Sequence, residues 1–123
     1  MMTGVVTAGR EAIVRMRLRS LQGQEVDIDT VLDTGFTEAL SLPQTWVDTL
    51  ALPLVELDEM TLADGSVIQV EVYEGRVIWD GQEHTIVIHC VEGSPLLGMS
   101  LLYDYLLTIQ VVAGGSVTIT ALA

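Results

Sequence analysis

Apolar and polar residues alternate along most of the chain with the period of two that marks half-buried β-strands. From Ala12 to Arg19, Val14, Met16 and Leu18 share one face while Arg15, Arg17 and Arg19 share the other. After a turn signal at Gln22-Gly23 the alternation resumes through Val26, Ile28, Thr30 and Leu32, so the two runs are expected to pair as a hairpin. Asp64-Gly65, Asp80-Gly81 and Gly114-Gly115 mark further tight turns, where glycine supplies the positive φ that such hairpins require. The strand-like runs between these turns are rich in valine and isoleucine.

Two segments break the pattern. Pro43 to Leu50 opens on a proline suited to a first helical turn and sets Trp46 and Leu50 four apart. Met99 to Leu106 places Leu102, Tyr103 and Leu106 at helical spacings after Gly98. Both are expected to be short helices. No linker, low-complexity tract or fixed-period repeat interrupts the chain, so residues 1–123 are expected to form a single all-β domain with one or two short helices.

Composition narrows the setting. A chain of 123 residues can bury one substantial core. No apolar run approaches the roughly 20 residues that span a bilayer, and Met1-Met2-Thr3-Gly4 lacks the basic and apolar segments of a secretory signal. A soluble, cytoplasmic protein with no membrane partner is the expectation. The single cysteine, Cys90, has no intrachain partner, which fits a reducing compartment, and it reads as a small buried apolar residue. The net charge is −12, lysine is absent, and four of the five arginines fall between Arg10 and Arg19. Such a surface repels phosphate backbones, so no nucleic-acid partner is expected, and a strongly acidic peptide would be a poor ligand.

Several constellations carry little chemistry. Asp27 and Asp29 alternate onto one strand face with Asp33, which reads as a solvated face in the absence of a calcium-type loop. His84 and His89 lie on opposite strand faces by their odd spacing, and no metal site or cofactor is expected from them. Gly93-Ser94-Pro95 is not a nucleophile elbow. The aromatic residues Trp46, Tyr73, Tyr103 and Tyr105 are expected mostly in the core, while Trp79, beside the Asp80-Gly81 turn, is left open between core and surface.

The informative stretch is Val31-Leu32-Asp33-Thr34-Gly35-Phe36-Thr37, which ends an alternating strand and runs on to Leu42-Pro43. Taken alone, Asp-Thr-Gly is also what a turn looks like in which Asp33 bonds its own backbone. About sixty residues further on comes Pro95-Leu96-Leu97-Gly98-Met99-Ser100-Leu101-Leu102, a buried strand that turns sharply into a short helix. With the glycine turn at Leu62-Ala63-Asp64-Gly65-Ser66 between them, these elements resemble, in order, the active loop, flap and hydrophobic-hydrophobic-Gly motif of the retropepsin family of aspartic peptidases. The resemblance runs roughly from Ala12 to Leu122, and Asp-Thr-Gly-Phe-Thr with Leu42-Pro43 is similar to a small prokaryotic, single-domain branch.

The resemblance implies a retropepsin-like closed β-barrel, the acid protease fold as a single lobe. It implies an aspartic endopeptidase without metal or cofactor, acting on peptide or protein substrates. Asp33 would be the catalytic carboxylate, with Thr34 and Gly35 supporting the loop and Ala63, Asp64, Gly65 and Ser66 forming the substrate-covering flap. Because the chain holds one Asp-Thr-Gly, the second carboxylate would come from a second copy, so a homodimer is required. The segment Val117 to Leu122 would serve either as an interleaved terminal strand of that dimer or as an ordinary edge strand. Phe36, Met99 and Ser100 depart from the pattern: Phe36 would narrow a subsite or cover the core, Met99 removes a basic residue that braces viral dimers, and Ser100 replaces a supporting Asn or Asp. The alternative is a catalytically inactive retropepsin-like module for peptide binding or dimerisation. A third reading is a generic small β-barrel that binds a ligand.

Overall fold

Two-sided alternation in the first long hairpin fixes which way the chain curves, because one of its faces must be buried. The computed structural model describes residues 1–123. Along the chain come β1 (Met2–Val6), β2 (Ala12–Arg19), β3 (Glu25–Leu32), β4 (Leu40–Leu42), α1 (Gln44–Thr49) and β5 (Leu54–Thr61). They are followed by β6 (Val67–Trp79), β7 (Gln82–Cys90), β8 (Leu96–Leu97), α2 (Met99–Leu102), β9 (Tyr105–Ile109) and β10 (Ser116–Ala121). The protein is therefore mostly β with two short helices. Neither helix is long and apolar enough to cross a membrane.

The first hairpin forms as its pattern predicts. β2 and β3 pair antiparallel, and Val14, Met16, Leu18, Ile28 and Thr30 are buried between the layers. Thr30 brings a hydroxyl into the core and satisfies it by donating to the Val14 carbonyl at 2.7 Å. On the outer face the register sets Arg15 opposite Asp29, Arg17 opposite Asp27 and Arg19 opposite Glu25. Each arginine meets its carboxylate, Arg15–Asp29 and Arg17–Asp27 at 2.9 Å, and Arg19 also reaches Glu83 of β7 at 2.9 Å. Asp27 and Asp29 thus occupy a solvated, ion-paired face. Exposed pairs of this kind stabilise little individually, but a one-residue slip would separate all of them and expose the buried set.

Hydrogen-bonded neighbours run in the order β5-β6-β7-β4-β8-β3-β2-β1-β10-β9, and β6 pairs additionally with β2 through Arg17–Ile78, Leu18–Val77 and Arg19–Arg76. Pairing can therefore be followed from β2 through β3, β8, β4, β7 and β6 back to β2. Leu18, Leu40, Leu42, Val77, Ile88, Leu97, Val117 and Ile119 are buried inside this arrangement. The turns predicted at Asp64-Gly65, Asp80-Gly81 and Gly114-Gly115 are all present, with positive φ at Gly65, Gly81 and Gly114.

Four details differ from or complete the expectations. Pro43 is extended and precedes α1 as its cap rather than sitting in the first helical turn. The second helix stops at Leu102, because Tyr103 is already extended at φ −58° and ψ 135°, after which Asp104 takes a left-handed φ of 71° and Tyr105 begins β9. Trp79 is buried and packs edge-on against Tyr105, whereas Tyr103 is 77% exposed. β10 is no edge strand: it pairs with β1 on one side and β9 on the other within its own chain.

Two outcomes are expected. Leu18→Ala should destabilise the protein by about 2–5 kcal/mol, read as a lowered urea midpoint at unchanged slope. The hydrogen bond from Arg17, with the charges of Arg17 and Arg15, holds the Asp27 carboxyl below its ordinary value. A depressed folded value stabilises above the ordinary Asp range and is lost as pH falls through that folded value. Asp27→Asn should therefore flatten the acid limb of the stability curve below about pH 4, followed as urea midpoints between neutral and acidic pH.

Candidate active site

The end of β3 is set by a strand only two residues long. Val31 and Leu32 lie parallel to Leu96 and Leu97 of β8, the Val31 N–H donates to the Pro95 carbonyl at 2.8 Å, and the Asp33 N–H donates to the Leu97 carbonyl at 2.9 Å. On its other edge β8 runs antiparallel to β4, and the buried Ser41 hydroxyl accepts the Leu96 N–H at 3.1 Å. The 33–39 loop must therefore arch from one side of β8 to the other.

Backbone bonds hold that arch. The N–H groups of Gly98, Met99 and Ser100 donate to the carbonyls of Ala39, Phe36 and Glu38 at 3.0, 2.8 and 3.2 Å. These are the donors that a helix leaves unpaired at its start, so the loop satisfies α2 while α2 fixes the loop. The support at Ser100 comes from its backbone, which makes the absence of an Asn or Asp side chain there immaterial to this bond. Gly98 is required by contact: a Cβ at this position would lie 2.1 Å from the Glu38 carbonyl oxygen and 2.8 Å from that of Phe36. Phe36 is buried, packing edge-to-face on His89 with ring centroids 6.2 Å apart, so it covers the core beneath the loop.

Asp33 is half-buried. Its Oδ1 accepts the Gly35 N–H at 2.8 Å and its carbonyl accepts the Phe36 N–H at 3.1 Å, so the local turn expected of Asp-Thr-Gly is formed. Oδ2 remains without a hydrogen bond, and Asp33 enters none of the ion pairs. Asp33 and Thr34 line a cavity of about 310 Å³ together with Val6, Arg10, Ile109 and Val111. Thr34 is exposed, and the threonine side chains that do hydrogen-bond within the chain are Thr7, Thr30 and Thr49.

The next residues of the loop border a second cavity, of about 280 Å³, walled by Gly35 to Glu38 and by Asp58 to Thr61 of β5. Ala63, Asp64, Gly65 and Ser66 form the exposed tip of the β5–β6 hairpin, with the Leu62 N–H donating to the Ser66 carbonyl at 2.8 Å. The Ser66 N–H and hydroxyl both donate to Asp64 Oδ1, at 2.9 and 2.6 Å, and these bonds hold the Asp64 carboxyl below its ordinary value. The tip residues line neither cavity; the lower arm of the hairpin does.

One cluster escapes sequence spacing altogether. Glu38 of the loop, Asp58 of β5 and His89 of β7 bring one ligand-type atom each to within 4.8 Å of one another. His89 is 1% exposed, its Nε2 lies 3.1 Å from Asp58 Oδ2, and its Nδ1 is buried without a partner. That contact, followed by the Glu59 N–H, holds the Asp58 carboxyl below its ordinary value. The only sequence signal was a histidine in an apolar run, because its neighbours come from positions 51 and 31 residues away.

No family model matches the chain, and no curated protein matches it. The geometry of the loop therefore has to carry the functional argument. Gly98→Ala should destabilise the protein by about 1–3 kcal/mol or more, since two carbonyls must move, and denaturant unfolding measures the loss.

Proposed function

We propose that the chain is an aspartic endopeptidase of the retropepsin type, active as a homodimer in which Asp33 of each copy supplies half of a carboxylate pair. The observation that carries this reading is the state of Asp33: one oxygen held by the Gly35 N–H, the other free, on a loop bolted to β8 and α2 beside a cavity of about 310 Å³. The return of strand pairing from β6 to β2 supports a closed, single-lobed barrel of the acid protease kind. The exposed Thr34, without an intrachain partner for its hydroxyl, suits the supporting role of gripping a second copy, and Gly35 leaves room for a substrate backbone.

The β5–β6 hairpin supports the flap role. Its outer part is exposed on both faces and carries Leu57, Leu62 and Val67 into solvent, as expected of an element that closes over an extended peptide. Val111 and Val112, 75% and 64% exposed, offer apolar surface near the Asp33 cavity for the second copy. A cytoplasmic setting fits the lone Cys90, whose thiol burial pushes up and away from reactivity.

In the proposed reaction the two Asp33 carboxyls share one proton, because like charges at hydrogen-bond distance do not both ionise easily. The ionised member takes a proton from a water whose oxygen adds to the scissile carbonyl carbon, while the protonated member gives its proton to the carbonyl oxygen. Collapse of the resulting diol breaks the C–N bond, with a proton passing to the leaving nitrogen and one from the diol returning to the pair. No metal or cofactor takes part in these steps. A second reading, a peptide-binding or dimerisation module without hydrolysis, is favoured by one observation: β10, the strand suited to interleaving, is hydrogen-bonded on both edges within its own chain.

Light scattering on the purified protein is expected to return a dimer, and a peptide library should be cleaved with a bell-shaped pH dependence. Asp33→Asn and Asp33→Ala should each lower kcat/KM at least about 1,000-fold while leaving the unfolding midpoint close to wild type. A strict monomer at high concentration, or cleavage that survives either substitution, removes the peptidase reading. A dimer that binds peptides without cutting them selects the inactive module.

A further inference from the structure

Glu38, Asp58 and His89 meet where the 33–39 loop, β5 and β7 come together, and the cavity that Glu38 and Asp58 line shares no residue with the Asp33 cavity. Their electrostatics are unbalanced. Two carboxylates converge within 4.8 Å, yet neither Glu38 nor Asp58 pairs with an arginine or the amino terminus. The only neighbour in the cluster able to carry positive charge is His89, and its ring is 1% exposed. Its Nε2 faces the carboxylates, 3.1 Å from Asp58 Oδ2, and its Nδ1 is buried without a partner. A cation held between the carboxylates would offset their charge and could enter from solvent, because Glu38 and Asp58 are only half-buried and both line the cavity of about 280 Å³.

We propose that Glu38, Asp58 and His89 bind a divalent transition-metal ion of the zinc class. One imidazole nitrogen with two carboxylate oxygens is a donor set that zinc accepts, and the neighbouring cavity leaves room for water at a remaining coordination position. The imidazole disfavours calcium and magnesium, which prefer all-oxygen surroundings. The 3.1 Å contact between His89 Nε2 and Asp58 Oδ2 presents both donors to one point, and metal entry at Nε2 moves the ring proton to Nδ1. There it lacks the acceptor that usually orients a ligating histidine, so affinity should fall about 10–100-fold below that of a fully supported site. A bound ion would tie β5, the first arm of the hairpin, to the loop that bears Asp33.

The test is a binding experiment on the full chain after chelator treatment, which reads metal uptake whether or not the protein cleaves peptides. Titration calorimetry with zinc chloride at neutral pH is expected to show one ion per chain, accompanied by a raised Tm. Asp58→Asn and Glu38→Gln alter half-buried groups and should fold; each should weaken binding at least about tenfold. Asp33→Asn should bind as wild type does. Zinc should also shift the His89 Nε2 resonance in nitrogen-15 NMR, a change that a general effect of the acidic surface does not produce. The proposal is overturned if zinc does not bind, if both carboxylate variants keep wild-type affinity, or if magnesium and calcium bind as tightly as zinc. It is equally overturned if His89 titrates as a cation near neutral pH while zinc leaves its resonances unmoved, which would make the cluster a proton-operated latch.

Discussion

Everything at the candidate site depends on β8 being wedged between β3 and β4. Leu96 and Leu97 are paired on both edges, parallel to β3 and antiparallel to β4, so the chain that connects β3 to β4 has to cross over them. That crossing is the 33–39 loop. Its carbonyls at Phe36, Glu38 and Ala39 receive the N–H groups of Gly98, Met99 and Ser100, and the close approach leaves no space for a side chain at Gly98. Two segments separated by about sixty residues in sequence thus satisfy one another's backbone, and neither could hold this shape alone. Rigidity of this kind is what a carboxylate needs if it is to share a proton with a symmetry mate, since a loose loop would let the like charges separate.

Much of the framework was legible because it rests on period-two patterning and on glycine turns. The β2–β3 hairpin, its buried and charged faces, and the turns at Gly65, Gly81 and Gly114 follow directly from those signals. Failures came where a single backbone angle or a distant partner decided the outcome. Met99 to Leu106 carries helical spacing, yet Asp104 turns left-handed and hands Leu106 to a strand. The Val117 to Leu122 run reads equally well as an edge or an interior strand, and only its partners β1 and β9 decide. At the site, Asp33, Gly35 and Gly98 were visible as motif residues, whereas Glu38, Asp58 and His89 were not, because nothing in their spacing says that side chains from the loop, β5 and β7 converge.

Charge is distributed in keeping with this division. Arg15, Arg17, Arg19 and Arg76 all find carboxylates across the β2–β3–β6–β7 face, and there they secure register. Arg10 enters no ion pair and borders the Asp33 cavity instead. With lysine absent, the β5 side of the loop has no fixed cation at all, although Glu38, Asp58 and Glu59 all lie along that wall. The two cavities beside the loop therefore differ in kind: one has an unpaired guanidinium on the same wall as Asp33, the other is lined by three carboxylates.

The loop borders both environments, and Phe36 is its buried aromatic side chain. Its ring lies under the loop, against the position where Gly98 lacks a side chain and edge-on to His89. Phe36 is anchored in turn to Asp33 through its own N–H and to Met99 through its carbonyl. Phe36 thus links the histidine of the Glu38–Asp58–His89 cluster to the loop that bears Asp33 through one aromatic contact and two backbone hydrogen bonds.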